Sequence, residues 1–370
     1  MAIKKITVSE FLQKASLHPV LDVRSPGEFI HAHIPGAFSL PLFSDEERKI
    51  VGTAYKQQGK QRAIKLGLDF FGVKMKGMVE EVENLTAKNI KNVSDGNGAK
   101  PSSGPPVSER TGGLGAVVIH CWRGGMRSAG VAWLLDLYGY EVYTLVGGYK
   151  AYRNWVLQQF EKEYDCKILG GYTGSGKTDL LKQLQKNNQP VLDLEGIASH
   201  KGSAFGALGQ PTQPTQEMFE NILAIALNKF HHTNFYVEDE SQRIGVLNIP
   251  NVFWKKMRTK PVYFIDIPFE QRLDYITEEY GGHEKEKLVN AIIRIQKRLG
   301  PLETKTAISF LIENNYKECF KILLHYYDKY YLKGLNNREN ISALLNKIEC
   351  SAVDTISNTE KILSCATVHV

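Results

Sequence analysis

Two short stretches of this chain carry residues whose types and spacing can do chemistry. The first is His120-Cys121-Trp122-Arg123-Gly124-Gly125-Met126-Arg127-Ser128. Backbone N–H groups turned toward one centre, together with nearby cations, lower a cysteine pKa from about 8.5 into a range of roughly 3.5 to 7.5 and leave a nucleophilic thiolate at neutral pH. A cysteine that merely ends a buried strand needs neither the glycine pair nor the two arginines that follow Cys121, so Cys121 is read as reactive. The second stretch, Gly171-Tyr172-Thr173-Gly174-Ser175-Gly176-Lys177-Thr178, matches G-x-x-x-x-G-K-[ST]. Its glycines let the backbone wrap phosphate oxygens. Lys177 reaches a terminal phosphate as a point charge, and the Thr178 hydroxyl offers a ligand to magnesium. Any suitable di- or triphosphate fits such a loop, and the metal itself stays open.

Chemistry of this kind needs strands to aim it. The run 116–120, Ala-Val-Val-Ile-His, reads as a strand that delivers Cys121, and the apolar stretch 131–138 after it suits a helix. With a strand at 19–24 and another at 141–146 closed by Gly147-Gly148, the order indicates a parallel α/β sheet with helices on its faces. A fresh strand from Cys166 delivers the phosphate loop (P-loop), and further strand signals lie at 190–194, 234–237 and 261–267. From Phe269 onward helical periodicity takes over. Glu238, Asp239 and Glu240 follow one strand and Asp266 ends another; the sequence leaves open which of them serves as the acid that partners the loop.

The bulk composition fits this division. At 370 residues the chain exceeds one ordinary core, and 42% hydrophobic with 23% charged residues is the balance of a folded globular protein. The expected domains are 1–155, 160–268 and a helical 269–370. Within the first, residues 94–115, SDGNGAKPSSGPPVSERTGGLG, have almost nothing to bury and read as a flexible surface insertion. No run approaches the roughly 18 apolar residues of a spanning helix, and the start of the chain lacks a leader, so no membrane role and a cytoplasmic location are expected. Five cysteines without paired spacing make neither a disulfide framework nor a zinc site, and Cys166, Cys319, Cys350 and Cys365 are read as packing or surface residues. A net charge of +6 permits a polyanionic partner such as RNA.

The cysteine loop satisfies the His-Cys, five residues, Arg-Ser pattern of cysteine phosphatases and also resembles a rhodanese active-site loop. Leu21-Asp22-Val23-Arg24, Glu28-Phe29 and His33-Ile34-Pro35-Gly36-Ala37 favour the rhodanese-like reading, in which Asp22 and Arg24 serve structure. With the P-loop downstream, the chain resembles the tRNA 2-selenouridine synthases. The likeness includes Val51-Gly52-Thr53-Ala54-Tyr55-Lys56, Asp193-Leu194-Glu195-Gly196, His200-Lys201-Gly202-Ser203, Gln210-Pro211-Thr212-Gln213-Pro214 and Glu238-Asp239-Glu240-Ser241-Gln242-Arg243, and extends from about Leu21 to about Gly300. Leu323-Leu324-His325-Tyr326-Tyr327-Asp328 continues it.

The resemblance implies an α/β fold, a rhodanese-like parallel sheet domain followed by a P-loop α/β domain with a helical C-terminal portion. It implies a transferase that converts 2-thiouridine at the wobble position of tRNA to 2-selenouridine, through S-geranylation by geranyl diphosphate and selenium transfer from selenophosphate. Cys121 would then serve selenium transfer, with Arg123 and Arg127 steadying anions beside it. Gly171, Gly174, Ser175, Gly176, Lys177 and Thr178 would hold the diphosphate, with magnesium as an accompanying ion. His200, Lys201, Glu238, Asp239, Glu240 and Arg243 would join a shared site. The implied partners are tRNA and an enzyme supplying selenophosphate. Three other functions compete with this one: a rhodanese sulfurtransferase regulated by nucleotide, a cysteine phosphatase joined to a kinase-like domain, and a non-catalytic P-loop switch that binds RNA.

Overall fold

A strand buried on both faces reads as an uninterrupted apolar run, and Ala116–His120 does so because every one of its residues is buried. In the computed structural model, which describes residues 3–94 and 114–367, it is the centre of a parallel sheet in the first of two compact units, Met1–Gln158. The strands are β1 (Lys4–Ile6), β2 (Val20–Asp22), β3 (Phe38–Ser39), β4 (Ala116–His120) and β5 (Glu141–Leu145), in the order β1-β5-β4-β2-β3, every pairing parallel. Parallel neighbours place the loops after β2, β4 and β5 along one edge of the sheet, where such sheets carry their sites. The core under these loops gathers Leu21, Val117, Ile119, Val131, Leu135 and Val142.

Three helices, Asp45–Gln57, Lys60–Gly72 and Met75–Ser94, fill the chain before β4 and are absent from the expected elements. Their sequences are rich in charge, yet the first announces itself at Ser44, whose side chain accepts from the Glu47 N–H while the Glu47 carboxylate accepts from the Ser44 N–H. They close on the sheet through Phe71, Met78 and Val82. Most of the insertion expected at 94–115 lies outside the described residues.

The second unit, Gln159–Val370, holds β6 (Cys166–Gly171), β7 (Val191–Leu192), β8 (Phe235–Glu238), a small antiparallel pair β9 (Arg243–Ile244) and β10 (Leu247–Asn248), β11 (Val262–Asp266) and β12 (Leu345–Glu349). Its sheet runs β12-β11-β6-β8-β7, again all parallel. The P-loop leaves the middle strand, β6, at the point where the chain's path turns from one side of the sheet to the other.

Helices Phe269–Tyr280, Lys285–Leu299, Pro301–Ile312 and Tyr316–Asn336 bear out the helical C-terminal part and share a core of Leu273, Leu288, Ile292, Leu311, Phe320 and Leu323. One strand was not foreseen there. β12, Leu-Asn-Lys-Ile-Glu, has only Ile348 buried and is too polar to stand out; its in-register pairing with β11 makes it a strand. Ile348, with Ile362 of helix Thr355–Thr367, returns to the core of the P-loop sheet beside Leu169, Leu180 and Ile265. Among the described residues, no helix is long and apolar enough to cross a membrane.

Candidate active sites

Cys121 leaves β4 directly and is 3% exposed. Its Sγ lies 3.2 Å from the Ser128 Oγ and accepts from the Gly125 N–H at 3.4 Å, at the start of helix Met126–Tyr138. Burial alone would push this thiol up. The Ser128 hydroxyl and the backbone N–H groups of Ser128, Arg123 and Gly125 outweigh burial and hold the thiol below its ordinary value. The loop keeps this curvature because the chain after β5 grips it: Tyr149 N–H donates to the Cys121 carbonyl at 2.8 Å and Lys150 N–H to that of Trp122 at 3.0 Å. Gly148 (φ +57) sits so close that a Cβ there would lie 2.3 Å from the Cys121 oxygen and 2.5 Å from the Gly124 nitrogen.

Arg127 turns to Glu28, donating at 2.9 Å, and so ties helix Pro26–His31 to the loop; Arg123 serves the thiol through its amide. Beneath the loop, Asp22 and Arg24 form a fully buried pair at 2.6 Å, and Arg24 also donates to the Ala32 carbonyl and stacks 3.8 Å from the Tyr149 ring centroid. His120, buried 3.7 Å from Asp22, is held down to about 4 by burial and stays neutral at physiological pH. Of the other cysteines, burial pushes Cys166 and Cys319 up to about 12 and also raises Cys350, while Cys365 is half-buried. Ser128 was missed as a site residue, although its place at the end of the His-Cys-x5-Arg-Ser pattern marks it.

In the second unit, Gly171, Gly174 and Gly176 adopt positive φ of 151, 82 and 70 and bend the P-loop in a way that side chains resist. Lys177 Nζ donates to the Gly171 carbonyl at 2.9 Å and lies over the loop. Thr178 Oγ1 donates to Glu195 Oε2 at 2.9 Å. The loop is braced by a residue the sequence did not reveal: Arg272, 3% exposed, donates to the Thr173 carbonyl at 2.9 Å and to both oxygens of Asp328 at 2.9 and 2.7 Å. Asp328 falls in the segment Leu323-Leu324-His325-Tyr326-Tyr327-Asp328, so the signal was present without a role attached.

Three carboxyls converge beside Thr178. Glu238 accepts from the Glu195 N–H at 2.7 Å through Oε1, while its buried Oε2 has no partner among the described residues. Burial, with the charges of Asp193 and Glu195 adding to it, pushes Glu238 up to about 8. Burial, with the charges of Glu195 and Glu238 adding to it, raises Glu240 well above its ordinary value, and Glu195 is raised chiefly by burial. Asp239 faces other work, accepting from the Tyr331 hydroxyl at 2.8 Å and pairing with Arg338. Asp266 pairs with Lys347 at 2.7 Å.

A cavity of about 420 Å3 joins the P-loop to Glu195, Glu238, Asp239 and Glu240, and Asp266 does not line it. Residues 173–178, Glu195, Lys201 and residues 238–240 form its polar lining, with Lys201 paired to Glu279 at 2.5 Å. Phe205, Ile276, Tyr280, Phe320, Leu323 and Leu324 supply apolar and aromatic surface. His200 and Arg243 are not among its lining residues: His200 is buried against Gly206 and Gly245, and Arg243 donates to the Gly245 carbonyl at 2.9 Å on the exposed side of β9.

The family model described as the tRNA 2-selenouridine synthase AAA domain matches residues 164–360. The tRNA 2-selenouridine synthase of Sulfurovum sp. is 36% identical over 350 residues, covering 85% of this chain and 87% of that protein. The enzyme of the same name from Bdellovibrio bacteriovorus is 34% identical over 367 residues, covering 86% and 89%. The family model takes in the P-loop, the two relatives cover more than four fifths of the chain, and the chain belongs to the tRNA 2-selenouridine synthase family.

Proposed function

We propose that this enzyme acts on tRNA and replaces the 2-thio group of a wobble uridine by selenium in two steps. In the first, the uridine sulfur attacks C1 of geranyl diphosphate, the carbon–oxygen bond breaks and diphosphate leaves. In the second, the selenium of selenophosphate attacks C2 of the base, geranylthiolate leaves and takes up a proton, and water cleaves the phosphorus–selenium bond to release phosphate and leave the 2-seleno group. Alkylation makes the second step feasible by turning a poor leaving group into a better one. An enzyme that makes selenophosphate is the natural supplier.

The observation that carries this reading is the composition of the P-loop cavity. One part offers loop amides and Lys177 for a diphosphate, and another offers Phe205, Ile276, Phe320, Leu323 and Leu324 to an alkyl chain. Lys177 neutralises charge where it builds on the departing diphosphate, and the Glu238 carboxyl, pushed up to about 8 chiefly by burial, holds a proton in the same cavity. Thr178 and Glu195 are oxygen donors of the kind magnesium takes alongside substrate phosphates. In the other unit, Cys121 supplies a polarisable thiol, its proton affinity lowered by the Ser128 hydroxyl and the loop amides, suited to handling selenium.

Single-turnover reactions with 2-thiouridine tRNA and with pre-geranylated tRNA, read by nucleoside mass, test the division of labour. Lys177→Ala is expected to lose geranylation by roughly 100- to 1,000-fold, the usual effect of removing one preorganised donor. Cys121→Ser should still geranylate and should fail to introduce selenium. Equal loss of geranylation in both folded variants would sink the assignment.

A further inference from the structure

The P-loop cavity holds a second cationic group that the loop motif does not account for. Arg338 lies just past helix Tyr316–Asn336, and its side chain is 3% exposed. One end of its guanidinium pairs with Asp239, yet Nε and Nη1 are buried with no hydrogen-bond partner among the described residues. A guanidinium presents donors in a fixed fork that matches the oxygens of a phosphate, and buried donors left over from one carboxylate are available to a second anion.

Arg258 adds to this excess of charge. It lines the same cavity, donates to the Gly334 carbonyl at 3.1 Å and stacks on Trp254. Burial and the positive charge of Arg338 both lower its proton affinity, so two guanidiniums lie within reach of each other's field. Asp239 is the anion they share, and it also accepts from Tyr331.

Tyr331 joins this pair to the phosphate loop. Its hydroxyl donates to Asp239 at 2.8 Å and accepts from the Gly171 N–H at 3.0 Å. Its ring centroid lies 5.9 Å from Lys177 Nζ. Gly171, Tyr331, Asp239 and Arg338 therefore form one connected chain from the first residue of the loop to the spare donors.

We propose that Arg338, supported by Arg258, is a second phosphate subsite of this cavity that takes the outer phosphoryl group of the diphosphate whose inner group lies in the P-loop. The inference rests on the diphosphate reading of the loop given above. A phosphodiester of the RNA backbone offers the same oxyanion chemistry. The burial of Arg338 and its connection to Gly171 favour the small ligand. Asp239 thereby becomes the residue that holds Arg338 in place and not the acid that partners the loop.

Calorimetric titration of the full chain with inorganic diphosphate, and in a separate arm with tRNA, tests this. Arg338→Lys keeps a cation for Asp239 but loses the fork, and Arg338→Gln loses both; each is expected to weaken diphosphate binding about tenfold or more while tRNA affinity stays at the wild-type value, and Arg338→Gln, which leaves Asp239 unpaired, is expected to melt earlier than Arg338→Lys. Arg258→Gln, at a half-buried position, should give a smaller loss in the same direction and keeps the test open if either Arg338 variant melts early. Unchanged diphosphate affinity in folded variants, with Lys177→Ala still impaired, would overturn the subsite and leave the loop reading standing. Weakened tRNA binding with unchanged diphosphate binding would also overturn it, in favour of the RNA backbone. A wild-type chain that binds no diphosphate would remove both readings together.

Discussion

Ser128 shows how a single hydroxyl sets the reactivity of the thiol loop. Because it hydrogen-bonds Cys121, Ser128→Ala should shift the pH profile of iodoacetamide alkylation upward and slow the reaction at neutral pH several-fold; an unmoved profile would mean the amides alone hold the thiolate. Glu238 works in the opposite direction. Its folded-state proton affinity exceeds that of an exposed carboxyl, so from the ordinary carboxyl range to about pH 8 the folded chain keeps a proton the unfolded chain has lost. The stability this group contributes is complete below that window and declines as pH rises through it. Glu238→Gln should remove up to roughly 1.4 kcal/mol per pH unit from that decline, measured as urea-unfolding free energies from pH 5 to 8. Cys121 and the P-loop were legible because each lies in one contiguous stretch. Arg272, Asp328 and Arg338 were not, because their partners are 99, 56 and 99 residues away and only the fold brings them together.

Helix Phe269–Tyr280 and helix Tyr316–Asn336 brace the P-loop through one ion pair, between buried Arg272 and half-buried Asp328. Removing one partner of such a pair leaves an uncompensated charge, so Asp328→Ala should cost about 3–5 kcal/mol in chemical denaturation. Replacing both, Arg272→Met with Asp328→Leu, should recover most of that stability without recovering diphosphate binding, because the Thr173 carbonyl has lost its donor. Recovery of binding as well would show that the pair serves stability alone. The strands that sequence pattern located, β2, β4, β5, β6, β7, β8 and β11, lie in runs rich in apolar residues. The charged helices between Asp45 and Ser94 and the polar strand β12 escaped because their apolar positions are sparse, and tertiary packing supplies what local pattern lacks.

Across the whole molecule, a net charge of +6 gives electrostatics a part in meeting RNA. If the enzyme contacts several tRNA phosphates, affinity should fall steeply between about 50 and 200 mM salt; a flat response in filter binding would argue for a contact surface without phosphate pairing. The sequence made two α/β sheets legible through their strand–helix order, but it did not show which strand ends the second sheet. That strand carries a consequence for synthesis. β12 is made about eighty residues after β11, to which it pairs. A ribosome therefore presents β6, β8 and β11 while one flank of β11 still has open N–H and C=O groups. During that interval a nascent chain offers a neighbouring polysomal copy the same template that β12 later covers. Stalling upstream of Leu345 would prolong this exposure, which the finished enzyme no longer displays.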